Sequence, residues 1–167
     1  MFASASWRYS PSIGFQLGVG ALLDGSIEID GTTGDVGPGV AASVGVSWLA
    51  VYERRRRPFV QVSTTIAAST TTAVSDDGAS HRLSAGDLRV DVMVGKTFAD
   101  RATPYLATRA FAGPVSWKLD GESVTGGDAH HYGVGVGTVL RLGELDLFAE
   151  VTPLGEQRAA LGAGYSF

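Results

Sequence analysis

The sequence predicts an all-β fold, an eight-stranded antiparallel up-and-down barrel, from three observations. Apolar residues alternate with polar or small ones at a period of two along most of the chain. Glycine, 23 of 167 residues, and β-branched residues are spread throughout, which leaves few segments able to hold a helix. The links between alternating segments are long and short in turn, and none is long enough for a crossover helix. Strands closed into a ring leave no exposed edge.

The eight segments run over 12–24, 38–52, 59–73, 87–98, 104–116, 130–142, 145–152 and 157–167, within one domain of residues 1–167. Trp7 and Tyr9 keep the phase of Ile13, Phe15, Leu17 and Val19. Residues 1–11 therefore read as an N-terminal segment or an early start of the first strand, with Pro11 as an edge kink. The first link, DGSIEIDGTTGDVGPG, is long, and ERRRRP is short. SDDGASHRLSAG is long, ADRA short, KLDGESVTGGDA long, GE short, and PLGEQ is a modest last link. Long links then share one end of the sheet, and both termini belong to the other. Alternation is cleanest in LRVDVMV, where Leu88, Val90, Val92 and Val94 oppose Arg89, Asp91 and Met93. In YGVGVGTVLRL, Tyr132, Val134, Val136 and Leu140 oppose Gly133, Gly135 and Gly137.

A net charge of −4 argues against a general nucleic-acid binder, and the absence of Cys excludes disulfides and thiolate metal sites. Apolar runs such as WLAVY fall far short of the ~20 residues of a membrane helix. MFASASW lacks the basic and apolar regions of a secretory signal, so an exported chain is read as a mature form.

Four features point the apolar face outward. The opposite face is rich in glycine (Gly14, Gly18, Gly20, Gly133, Gly135, Gly137, Gly162 and Gly164), which makes room inside a narrow barrel but weakens an outer face. Aromatic residues collect at strand ends as an expected girdle: Trp7, Tyr9, Trp48, Tyr52, Phe59, Phe98, Tyr105, Tyr165 and Phe167 at the short-link end, Trp117 and Tyr132 at the other. Acidic residues dominate the long links, whereas Arg54, Arg55, Arg56, Arg57, Lys96 and Arg101 crowd the short ones. Charges of both signs share the small-residue phase in mid-strand, where facing lipid would cost roughly 2–4 kcal/mol for each basic residue.

The whole chain resembles the eight-stranded bacterial outer-membrane β-barrels, such as the transmembrane domain of outer-membrane protein A and its small relatives. The most specific element is the ending, where Leu161, Ala163, Tyr165 and Phe167 alternate up to a terminal aromatic. That pattern is similar to the signal read by the outer-membrane assembly machinery. The resemblance implies long extracellular loops, short periplasmic turns and residence in the outer membrane of a Gram-negative cell envelope. It also implies contact with lipopolysaccharide, and a structural or surface-interaction role without catalysis.

By phase, Gln16, Gln61, Arg89, Asp91, Arg109, Arg141, Asp146, Glu150 and Arg158 form a lumen polar network. It reads as a hydrogen-bonded plug, with a narrow porin-like pore for ions or small solutes as the alternative. Small inward residues on the first, second and last strands predict a void beside that wall. His81, His130 and His131 have no metal-ligand spacing, and no metal or cofactor site is expected. A lipid-modifying enzyme is a further alternative. His130, His131, Ser123 and Asp128 lie in the right zone, but Tyr132 and Gly133 after His131 do not continue a His-x-Ser motif. SIEIDGTTGD lacks the spacing of a Ca²⁺ loop, so Ile27 and Ile29 are expected to continue strand pairing. The run Arg54–Arg57 reads as a turn solvated or in contact with anionic headgroups.

Overall fold

The computed structural model describes residues 2–23, 25–29, 32–74, 80–119, 122–127, 131–155 and 157–166. Its strands are β1 (Phe2–Arg8), β2 (Ile13–Leu22), β3 (Gly25–Ile29), β4 (Thr32–Val36), β5 (Gly39–Val51), β6 (Phe59–Val74) and β7 (Ser80–Gly95). They continue with β8 (Ala102–Ala112), β9 (Pro114–Leu119), β10 (Glu122–Gly127), β11 (Tyr132–Leu142), β12 (Leu145–Leu154) and β13 (Arg158–Tyr165). All belong to one sheet with the order β1-β2-β5-β6-β7-β8-β11-β12-β13, and every pairing is antiparallel.

The main path therefore has nine strands, not the expected eight. The extra one is β1. Residues 2–8 do not extend the first predicted strand. They fold back along it in a register running from Phe2↔Gly20 to Arg8↔Gly14. The reversal lies at Tyr9–Ser12. The Tyr9 N–H donates to the Ile13 carbonyl at 2.9 Å, and the Ser10 hydroxyl accepts the Ile13 N–H at 3.1 Å. A hydroxyl capturing a backbone N–H across a turn is ordinary serine chemistry. Phe2 consequently lies at the long-link end, whereas the end of β13 lies with the short turns.

Two of the long links carry hairpins. β3 pairs with β4, and β4 reaches β6 through Asp35↔Val74 and Val36↔Ala73. β9 pairs with β10 and lies against β7 through Leu83↔Trp117. Ile27 and Ile29 thus do continue strand pairing. β6 and β7 pair from Phe59↔Gly95 out to Val74↔Ser80, so most of SDDGASHRLSAG is strand rather than link.

The sheet is curled like half a barrel. Side chains on its concave face bond across an intervening strand, and the end of β13 shares a cavity with β1. Among the described residues, no pairing joins β1 to β13, and the ring expected from sequence has an open seam there. Because β1 already occupies the edge of β2, that edge cannot also receive β13. The phase is as expected. Leu88, Val90, Val92, Val94, Val134, Val136, Leu140, Leu161 and Tyr165 take the convex side, and Arg89, Asp91, Arg109 and Gly135 the concave side.

Candidate functional site: a two-sided concave face

Arg109 is the centre of the charged cluster. Asp91 stands directly opposite it on β7 and accepts from Nε at 2.7 Å. On the other side the guanidinium crosses β11 to reach Glu150 at 2.6 Å and the Thr152 hydroxyl at 3.1 Å, both on β12. Tyr105 crosses the same strand and donates to Glu150 at 3.0 Å, while Arg158 of β13 approaches that carboxylate at 3.9 Å. The Glu150 and Arg109 side chains keep only 9% and 12% exposure. At that depth desolvation offsets much of the attraction, so the pair matters chiefly because losing one partner would leave the other ion buried and uncompensated.

Glycine makes the crossing possible. Where the crossing occurs, the concave residues of β11 are Gly133, Gly135 and Gly137, with Val139 and Arg141 following toward the short turns. A methyl group on Gly137 would fall 2.5 Å from the Tyr105 phenol, and one on Gly135 would fall 3.1 Å from the Thr152 hydroxyl. The same device recurs around the sheet. Phe59 covers Gly95, Phe148 covers Gly162 and Phe2 covers Gly18. Each aromatic restores apolar contact where a strand interior lacks a side chain.

This corrects two girdle assignments. Phe59 and Tyr105 face the concave side, because they share the phase of Gln61 and Arg109. Their phase is legible in the sequence, and nearness to a strand end does not decide the face. The rest of the short-turn set is exposed: Trp7, Tyr9, Trp48, Tyr52, Phe98 and Tyr165. Trp7 stacks on Phe15 with centroids 5.8 Å apart, and Tyr9 meets the same ring edge-on at 6.1 Å. Tyr132 is exposed near the other end. The Trp117 side chain and Phe167 lie outside the described residues.

Arg89 pairs with Asp87 at 3.0 Å and lies over the Phe111 ring at 5.9 Å. Its buried Nε has no hydrogen-bond partner among the described residues. Arg141 and Asp146, directly opposite each other, form a more open pair at 3.2 Å. Gln16 and Gln61 do not join the charged cluster. They line a cavity of about 700 Å³ together with Ser6, Arg8, Ser47, Ser63, Thr65 and Ser166. This is the void expected beside the small-residue wall. One predicted polar network is thus two regions: a salt-bridged wall from β7 to β13, and a hydroxyl-lined hollow from β1 to β6.

At the short-turn end, Glu53 accepts the Thr97 N–H and the Thr97 hydroxyl, each at 2.9 Å, with Lys96 at 3.5 Å. Its carboxyl is held below its ordinary pKa, first by the Thr97 N–H, then by the Thr97 hydroxyl, with Lys96 adding to the effect. At the long-link end, the His131 ring lies 3.3 Å from the Phe111 carbonyl. His130 and Asp128 lie outside the described residues, as do the His81 and Ser123 side chains. No group of three or more metal-ligating side chains occurs among the described residues. No protein-family model, curated protein or solved structure matches the chain.

Proposed function

We propose that this chain is a small integral outer-membrane β-barrel with a structural or surface-interaction role, its acidic long links forming the contact surface. One observation carries the reading. The convex face is a continuous band of bare aliphatic side chains, including Val40 at 62%, Ile66 at 58%, Leu106 at 47% and Leu161 at 83% exposure. Mid-strand charges lie on the opposite face. An apolar surface of that extent marks an interaction face, and a closed sheet satisfies its own backbone in lipid. The concave cluster serves as a partial plug. Phe167, Tyr165, Ala163 and Leu161 would be the segment offered to the assembly machinery.

Insertion requires the seam to close, since each unpaired backbone group in hydrocarbon costs several kcal/mol. β1 and β13 both run toward the short turns, so a nine-strand closure joins them in parallel. The native chain has no Cys. A Ser6→Cys/Ser166→Cys pair therefore tests this seam, and a Gly14→Cys/Gly164→Cys link would instead mean that β13 displaces β1.

The direct test is refolding of the purified chain with and without detergent or phospholipid vesicles. Cooperative folding to β structure only with detergent or lipid is expected. Folded, monodisperse protein in plain buffer would overturn the reading. The cavity favours a second reading, a narrow pore, which predicts discrete conductance in planar bilayers. A folded but silent sample would remove it.

A further inference from the structure

The turn between β5 and β6 concentrates positive charge without relieving it. The Arg54 N–H donates to the Arg57 carbonyl at 2.9 Å, and the Arg57 N–H returns to the Arg54 carbonyl at 3.1 Å. This tight closure sets Arg54 opposite Arg57, with Arg55 and Arg56 at the tip. Like charges directly opposite in a ladder repel. A fifth cation is added when Lys96 donates to the Arg54 carbonyl at 2.9 Å. Glu53, the adjacent acid, is already engaged by Thr97 and Lys96. Among the described residues none of the four arginines has an ion-pair partner, and all four are exposed. The turn is nevertheless held in place. The Glu53–Thr97 and Lys96–Arg54 bonds tie it to the β7–β8 turn, so the guanidiniums are presented from a braced support. Exposed Trp48, Tyr52 and Phe98 border the cluster.

We infer that this turn is a docking surface for the phosphates of anionic phospholipid headgroups on the short-turn side of the membrane. The inference rests on the proposed membrane insertion. A guanidinium fork matches a phosphate bidentately, and several on one turn can share a sheet of phosphates. The bordering aromatics fit the interfacial zone in which those phosphates lie, which favours lipid over nucleic acid as the occupant. The tethering bonds hold the arginines at one depth, so bound headgroups would also set the vertical position of the barrel.

Tryptophan quenching by brominated lipid tests this in the full chain carrying Trp117→Phe, which leaves Trp7 and Trp48, both at the short-turn end. The protein is refolded into phosphatidylcholine vesicles containing brominated phosphatidylglycerol or, separately, brominated phosphatidylcholine. Stronger quenching by the anionic lipid is expected at low salt. That preference should fall about fivefold per arginine removed, equivalent to about 1 kcal/mol for each basic residue near an anionic surface. It should vanish when Arg54, Arg55, Arg56 and Arg57 are all changed to Gln, and survive Arg82→Gln at the opposite end. Equal quenching by both lipids, or a preference retained without the four arginines, overturns the inference and leaves the membrane reading intact. Quenching by neither lipid overturns both.

Discussion

The two halves of the concave face solve the same packing problem differently. From β7 to β13, long charged side chains reach across glycines and satisfy one another around Arg109 and Glu150. From β1 to β6, the inward positions are mostly serine, threonine, glycine and glutamine, too short to meet across the curl, and a cavity of about 700 Å³ remains. The halves adjoin at β6–β7, where Ser63 stands opposite Asp91 and Thr65 opposite Arg89. Glycine has both outcomes within the salt-bridged half. On β11 it is a space that Tyr105 fills, while on β13 nothing lies within 4 Å of where a methyl group on Gly164 would sit. Sensitivity to losing a side chain should therefore concentrate in the salt-bridged half, and the hydroxyl positions that line the cavity should tolerate change.

The largest effect is expected at Glu150. Glu150→Ala strips Arg109, Arg158 and Tyr105 of a shared acceptor and should cost about 3 kcal/mol in denaturant unfolding of the detergent-folded protein. Adding Arg109→Met should deepen the loss, because the Asp91 carboxylate then loses its guanidinium as well. A negligible effect of Glu150→Ala would remove the distinction between the two halves. Next comes a paired glycine test. Gly137→Ala meets both the Tyr105 ring and the Ala149 carbonyl and should cost about 1–3 kcal/mol, whereas Gly164→Ala meets open space and should stay within about 0.5 kcal/mol. Equal costs at the two positions would show that side chains do not depend on the β11 glycines to cross that strand. In the hollow, Ser63→Val should likewise change stability by no more than about 0.5 kcal/mol.

The smallest expected effect is a pH limb at the short turns. The Glu53 carboxyl has a lowered pKa in the folded protein. Its stabilisation is thus fully present above the ordinary carboxylate pKa and is lost as pH falls through the lowered value. Unfolding followed from pH 7 down to pH ~3 should show this loss, and Glu53→Gln should flatten it.

Much of this arrangement was legible in the sequence. Period-two phase alone separated Leu88 from Arg89 and Val134 from Gly135, because successive strand residues must take opposite faces. The Arg89, Asp91, Arg109 and Glu150 phases were fixed the same way. Their bonding partners were not, since contact across an intervening strand depends on curl and register. β1 escaped for a different reason. Residues 7, 9, 11 and 13 fall in one phase whether the chain continues or reverses, and that continuity competes with the turn signal in Ser10, Pro11 and Ser12. Phe59 and Tyr105 are the reverse case, in which strand-end position suggests a girdle and phase gives the face. The seam was illegible, because the edge of β2 accepts either β1 or β13 by the same backbone hydrogen bonds.

The decisive measurement concerns which face meets lipid. Single cysteines placed along β7 at Val90, Asp91, Val92 and Met93, spin-labelled after refolding into vesicles, report oxygen accessibility from lipid and nickel-complex accessibility from water. Oxygen should dominate at positions 90 and 92, and give way at 91 and 93. Strong nickel-complex accessibility at 90 and 92, in a protein that stays folded without lipid, would contradict a lipid-facing convex band.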